Sequence, residues 1–130
     1  MTIWTPRLLS VLRIVAALLF MEHGLMKLFH FPAAQPGAPD PLPTLLMVAA
    51  WIEVVAGALL TVGLFTRIAA FISSGEMAVA YFIGHFPSSP WPAINGGDAA
   101  ILLCFVFLYL AFAGGGEWSV DALRAKRPTR

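Results

Sequence analysis

Seven ionisable side chains stand within or at the edge of long apolar runs: Arg13, Glu22, His23 and Lys27 in the first, Glu53 in the second, Glu76 in the third and Asp98 at the mouth of the fourth. In lipid such groups are costly, ~2.5 to 3.5 kcal/mol for a central Asp, Lys or Arg on insertion scales, so they turn inward and find partners. Two chemistries suit the set. Glu53, Glu76 and Asp98, with His85, are candidates for handling protons, because carboxyls in a low dielectric exchange protons near neutrality. His23, Lys27, Asn95 and Tyr109 are candidates for contacting a polar headgroup or carbonyl. The plainer alternative is a lattice of hydrogen bonds and ion pairs that fixes helix register, for example Lys27 with Asp98, or Arg13 with a carbonyl near one surface. Arg13 and Arg67 are expected to pair structurally in this way.

Metal chemistry is not expected. His23, His30 and His85 lack tight ligand spacing, and the single Cys104 rules out an intrachain disulfide, a thiol relay and a four-cysteine site. A net charge of +1 gives no broad field for nucleic acid.

The elements that must hold these residues follow from composition. Of 130 residues 59% are hydrophobic and 12% charged, which places the chain in the membrane class. The sequence predicts an all-α fold, a four-helix transmembrane bundle in a single domain over residues 1–130. Its spans fall at about 8–29, 45–65, 68–84 and 98–114. The third is at the lower limit of span length. The fourth reaches it only by including Asp98 and the Gly114–Gly116 run. Arg7 ahead of an apolar stretch resembles a signal peptide, but the run continues to Phe29 without a small-residue cleavage site, so the segment reads as uncleaved.

Arg7, Arg67, Arg124, Lys126, Arg127 and Arg130 fall on one side of these spans, while Phe31–Pro43 and Phe86–Gly97 contain neither Lys nor Arg. The bias predicts both termini in the cytoplasm. Trp4 and Trp118 then lie at the inner interface and Trp91 at the outer. The two outer loops hold eight of the ten prolines and are expected to be non-helical. His30-Phe31-Pro32 and His85-Phe86-Pro87 each close an odd-numbered span, which reads either as a two-fold repeat about the membrane normal or as a chance match.

Depth and helical phase sort the polar residues further. Counted from the outer ends, Glu22, Glu53 and Glu76 lie roughly 10 to 14 Å deep. At 100° per residue Arg13, Phe20, His23 and Lys27 share one side of the first helix, with Glu22 nearly opposite Arg13. Ala69, Ser73, Glu76, Ala80 and Gly84 form a small stripe that directs Glu76 inward. On the fourth helix Asp98, Leu102, Phe105 and Tyr109 share a face. Asp98 is expected to cap that helix after the Asn95-Gly96-Gly97 turn.

The order and spacing of these residues resemble the DoxX family of small bacterial membrane proteins. The resemblance rests on Arg13, Phe20, His23-Gly24 and Lys27-Leu28; on Glu53, Gly57, Gly63 and Thr66-Arg67; on His85; and on Asn95-Gly96-Gly97-Asp98 with Trp118-Ser119-Val120-Asp121. It covers nearly the whole chain. Asp98 replaces the glutamate usual in the family, which shortens its reach, and Glu22 departs from the pattern. The resemblance implies a multi-pass protein of the bacterial plasma (inner) membrane and a link to quinone-coupled oxidation. On that basis the expected function is a redox-associated component, part of a membrane oxidoreductase if enzymatic, that holds a quinone or similar lipophilic molecule between its helices. Lipid, a redox partner subunit or a second copy of the chain are the expected partners. A non-enzymatic accessory or assembly subunit is the alternative, and a small solute or proton carrier the third.

Overall fold

The computed structural model describes residues 2–126, so Arg127 and Arg130 of the basic series lie outside it. Among the described residues every regular element is helical. Helix α1 spans Trp4–Phe29, α2 Thr44–Val62 and α3 Thr66–Ala80. The third runs on through a π-helical turn, Tyr81–His85, and a 3₁₀ turn, Phe86–Ser88. A short α4, Pro92–Asn95, precedes α5, Asp98–Ala113, and α6, Val120–Ala125, follows. Three of these rods, Trp4–Phe29, Thr44–Val62 and Thr66–Ser88, are long and apolar enough to cross a membrane; Asp98–Ala113 is apolar but shorter.

Several boundaries differ from the expected spans. The first helix starts at Trp4 rather than Leu8. The second stops at Val62 instead of Phe65 because Gly63 adopts φ 75° and its N–H turns back to the Leu59 carbonyl. The third begins at Thr66 and reaches Ser88. The proline-rich loop after it is not wholly irregular, since Pro87 and Pro92 occupy first-turn positions where no N–H is required. Asp98 does not cap α5. Gly97 holds that position, and Asp98 is the first helical residue, where its charge faces the positive end of the helix dipole.

Packing follows two close pairs, α1 with α2 and α3 with α5, joined by contacts of α2 with α3 and of α1 with α5. Glycine makes the first pair close. A Cβ on Gly24 would lie 2.7 Å from the Ala50 carbonyl, and one on Gly57 would lie 2.7 Å from the Met21 Cβ. In the second pair Ser74 Oγ donates to the Cys104 carbonyl at 2.8 Å. Phe20 and Phe107, both fully buried, meet edge to face at 5.0 Å and bridge α1 to α5 over a core of Ala16, Ala17, Leu60, Ala70 and Leu110. The two His-Phe-Pro tripeptides differ in backbone: His30 is left-handed at φ 54° and ends α1, whereas His85 lies inside the helical continuation of α3.

The start of α1, the α2–α3 turn and the end of α5 meet at one end of the molecule, where the Glu117 N–H reaches the Pro6 carbonyl and the Asp121 N–H reaches that of Gly63. This terminal end carries Trp4 and Trp118 on either side of the Arg7 guanidinium, at 5.3 and 5.9 Å. The opposite end carries the proline-rich loops.

Candidate functional site

The ionisable residues separate into two clusters, one near each end. Toward the proline-rich end, the close approach of Gly24 to α2 sets Glu53 opposite the last turn of α1, one turn before Lys27. The Lys27 ammonium then donates to both carboxylate oxygens of Glu53, at 2.8 and 2.9 Å, with the two side chains 11% and 1% exposed. The Glu76 carboxyl on α3 lies beside that of Glu53 and within the field of Lys27. Its Oε2 is buried and has no hydrogen-bond partner among the described residues. Three helices thus contribute one ammonium and two carboxyls to a single point.

A cavity of about 570 Å³ opens beside this point, between the halves of α2 and α3 nearest the proline-rich end. Leu46, Ala49 and Ile52 form one wall, Ile72, Val79 and Ile83 the other, and the Gln35–Pro39 segment covers it. Lys27, Glu76 and His85 reach its surface. His85 sits in the π-helical turn, stacked on Tyr81 with ring centroids 6.3 Å apart, and its Nδ1 donates to the Asn95 carbonyl at 3.1 Å. With Nδ1 so used, Nε2 is the nitrogen left for another partner. Pi-helical turns recur at functional sites because they redirect a side chain without breaking the helix.

Other residues singled out in the sequence stand elsewhere. Lys27 pairs with Glu53, not Asp98, which is exposed. His23 is also exposed and turns back on its own helix to the Leu19 carbonyl at 2.8 Å. Tyr109, 58% exposed, shares an outward face of α5 with Leu102 and Phe105. Asn95 is buried but engaged: its amide donates to Tyr81 Oη at 3.1 Å and the Ser89 carbonyl at 2.9 Å, and its Oδ1 accepts the Gly97 N–H at 2.8 Å. It fastens the loop that His85 leans on.

At the terminal end Arg13, 1% exposed, forms no carboxylate pair among the described residues. Its guanidinium donates to main-chain carbonyls instead: Leu60 at 2.8 Å, Trp118 at 2.9 Å, Thr61 at 3.4 Å, and Gly115. Arg67 likewise donates to the carbonyls of Ala111 and Phe112, which the end of α5 leaves open. A main-chain carbonyl is among the partners the sequence offers Arg13; for Arg67, expected to form an ion pair, the helix-end carbonyls supply the acceptors instead. Asp121 accepts the N–H groups of Phe65 and Thr66, each at 2.9 Å, and steadies Phe65 at φ 51°. Burial works against the charge of Asp121. The main-chain donors of Thr66 and Phe65, with Arg124 nearby, outweigh that and hold its carboxyl below the usual carboxylate range.

Two participants escaped the sequence reading. Ser10, fully buried, donates to the Gly115 carbonyl at 3.1 Å and accepts the Trp118 N–H at 2.9 Å; its place one turn before Arg13 in an apolar run was the available signal. Gly75, beside Glu76, lines the cavity, and a glycine inside a helix was its signal.

Among the described residues no three His, Cys, Asp or Glu side chains converge to hold a metal ion. Apolar helices of spanning length, with charged side chains sequestered between them, define a helical membrane protein whose exposed apolar faces contact lipid. The family model for DoxX matches residues 8–86, and the chain belongs to the DoxX family. That match includes Arg13, Lys27, Glu53, Glu76 and His85 and stops short of Asn95. A protein of Haemophilus influenzae described as uncharacterized is 43% identical over 125 residues, covering 91% of each chain. No solved structure matches the chain.

Proposed function

We propose that this DoxX protein crosses the bacterial plasma membrane four times with both termini in the cytoplasm, and binds a quinone or similar lipophilic molecule in the cavity between α2 and α3. In this reading α5, about 24 Å long at 1.5 Å per residue, is the fourth span, and its shortfall against a ~30 Å hydrocarbon core is met by local thinning. The basic residues Arg7, Arg67 and Arg124 at the terminal end support the orientation.

The observation that carries the ligand assignment is the conjunction of apolar walls with a buried, unpartnered Glu76 oxygen and an open His85 ring nitrogen. Ligand pockets for apolar molecules have this composition: mostly hydrocarbon lining with a few convergent polar groups. A quinone ring fits the donor set, and when bound it supplies two-electron, two-proton redox chemistry. The chain itself moves protons at most. Lys27 and Glu53 cancel one another, so charge balance is complete when Glu76 carries one proton of its own, which it can donate to a ligand carbonyl. His85 Nε2 accepts or returns a proton on the loop side. Electron transfer then belongs to a partner subunit.

The test is direct titration of the purified protein with a benzoquinone carrying a ten-carbon tail, followed by calorimetry. One molecule per chain is expected, with affinity lowered at least tenfold in Glu76→Ala and His85→Ala. Equal affinity in those variants rejects the assignment. A second reading, an accessory subunit, is favoured by the terminal end, where Arg13, Ser10 and Asp121 are all spent on the main chain. Recovery of the protein alone from mild detergent extracts counts against it.

A further inference from the structure

Two glycines in the wall of the cavity have no packing role. A Cβ built on Gly75 or on Gly84 meets nothing within 4 Å, unlike those of Gly24 and Gly57, which collide with the facing helix. Glycine inside a helix costs stability and is ordinarily compensated by a close approach of backbone. Here there is none. What both positions share is the cavity, which each lines. The cavity also lies at the perimeter of the helices. Its rims are Leu45 and Val48 on α2, 58% and 53% exposed, and Ile72, Val79 and Ile83 on the α3 side, 49%, 53% and 55% exposed. These are apolar side chains facing hydrocarbon. The end nearest the loops, by contrast, is covered by Gln35–Pro39.

We propose that the cavity is loaded sideways from the bilayer through the gap between α2 and α3, and that Gly75 and Gly84 keep that gap wide enough for a membrane-dissolved amphiphile. Its polar head reaches Glu76, Lys27 and His85, and its hydrocarbon tail stays in the lipid between Val48 and Val79. The inference rests on the cavity being a ligand site and adds the route, the two residues that set its width, and the requirement for a tail. A molecule taken from water has no use for an apolar, lipid-facing rim, and a purely structural groove has no use for glycine at two positions where an added Cβ meets no neighbour.

Gly75→Leu and Gly84→Leu test it, because an added Cβ meets nothing at either position and the longer side chain extends into the gap. In lipid nanodiscs, wild type is expected to bind the ten-carbon-tailed benzoquinone at least tenfold more tightly, after correction for partitioning, than the same ring without a tail. Each leucine variant is expected to lose at least tenfold in affinity for the tailed ring while its melting temperature holds or rises. Gly75→Ala with Gly84→Ala, a smaller intrusion, should show the same trend at lower amplitude and serves if a leucine variant fails to fold. Leucine variants that bind the tailed ring like wild type overturn the route and leave ligand binding standing. Equal binding of the tailed and tailless rings by wild type does the same. Wild type that binds neither ring overturns the ligand site itself. A fall in melting temperature in both the leucine and the alanine variants shows that the space is not free, and ends the proposal on that ground.

Discussion

The Lys27 ammonium lies 2.8 and 2.9 Å from the two oxygens of the Glu53 carboxylate, tying the last turn of α1 to the middle of α2. The pair is almost wholly withdrawn from its surroundings, at 11% and 1% exposure. Removing one member leaves an uncompensated buried charge, a loss of about 3–5 kcal/mol, whereas removing both leaves none. Lys27→Met and Glu53→Gln are each expected to destabilise strongly, and the double variant to recover most of the loss. Thermal unfolding of the four proteins in detergent measures this as a double-mutant cycle. A double variant no better than the worse single one shows that the pair is not the unit.

Arg13 serves the other end by a different device. Its planar guanidinium reaches four main-chain carbonyls, from Leu60, Thr61, Gly115 and Trp118, and thereby joins α1 to the ends of α2 and α5. A lysine keeps the charge but has only three donors on one atom and cannot span these acceptors. Arg13→Lys is therefore expected to lose nearly as much stability as Arg13→Ala, both by at least about 2 kcal/mol for carbonyls left without partners. Protease sensitivity of the segment after Ala113 reads the same event locally. Full stability in Arg13→Lys shows that charge alone suffices.

Asp121 gives a pH signature outside the lipid. Its carboxyl lies below the usual range in the folded protein, so its contribution is complete above the unfolded carboxylate value, about 3.9, and is lost as pH falls through the folded value. The melting temperature is expected to drop below about pH 4. In Asp121→Asn it should start lower, by the ~1 kcal/mol typical of a lost helix cap, and fall less steeply with acid. Parallel acid profiles for the two proteins exclude this role.

How far the sequence disclosed this arrangement depended on what each residue's neighbours encode. Apolar runs mark α1, α2 and the Thr66–Ser88 rod because crossing a membrane demands them, and a shorter apolar run marks α5. Depth counting put Glu53 and Glu76 in one layer because rise per residue is fixed, and the structure sets them side by side. Azimuth was another matter. A helix that is apolar on all sides has no phase, so nothing in α5 announced that Tyr109 and Leu102 face outward. The partner of Lys27 was equally hidden, for Asp98 and Glu53 are comparable in type and only the Gly24 contact selects between them. Asn95 reads as a ligand group until the loop is folded and Tyr81, Ser89 and Gly97 are found to occupy it. Arg67 reads as one half of an ion pair, although helix ends carry open carbonyls in every membrane helix, and which carbonyls Arg13 reaches is settled only by the fold.

The contrast between glycines that touch and glycines that do not yields the last prediction, and it needs no ligand. Gly24 faces the Ala50 carbonyl, the Glu53 Cβ and a Val54 methyl, at 2.7, 2.9 and 2.9 Å from an added Cβ, and a carbonyl oxygen cannot swing aside. Gly24→Ala must push α1 from α2, at the ~1–3 kcal/mol typical of overpacking, and in doing so lengthens the Lys27–Glu53 contact one turn away. Gly75→Ala meets nothing and gains helix propensity, so it should stabilise by about 0.5–1 kcal/mol. Opposite shifts in melting temperature from the same chemical change are therefore expected. If Gly75→Ala is destabilised like Gly24→Ala, the space beside Gly75 is not free; if Gly24→Ala is not destabilised, the close approach of α1 to α2 through Gly24 is wrong.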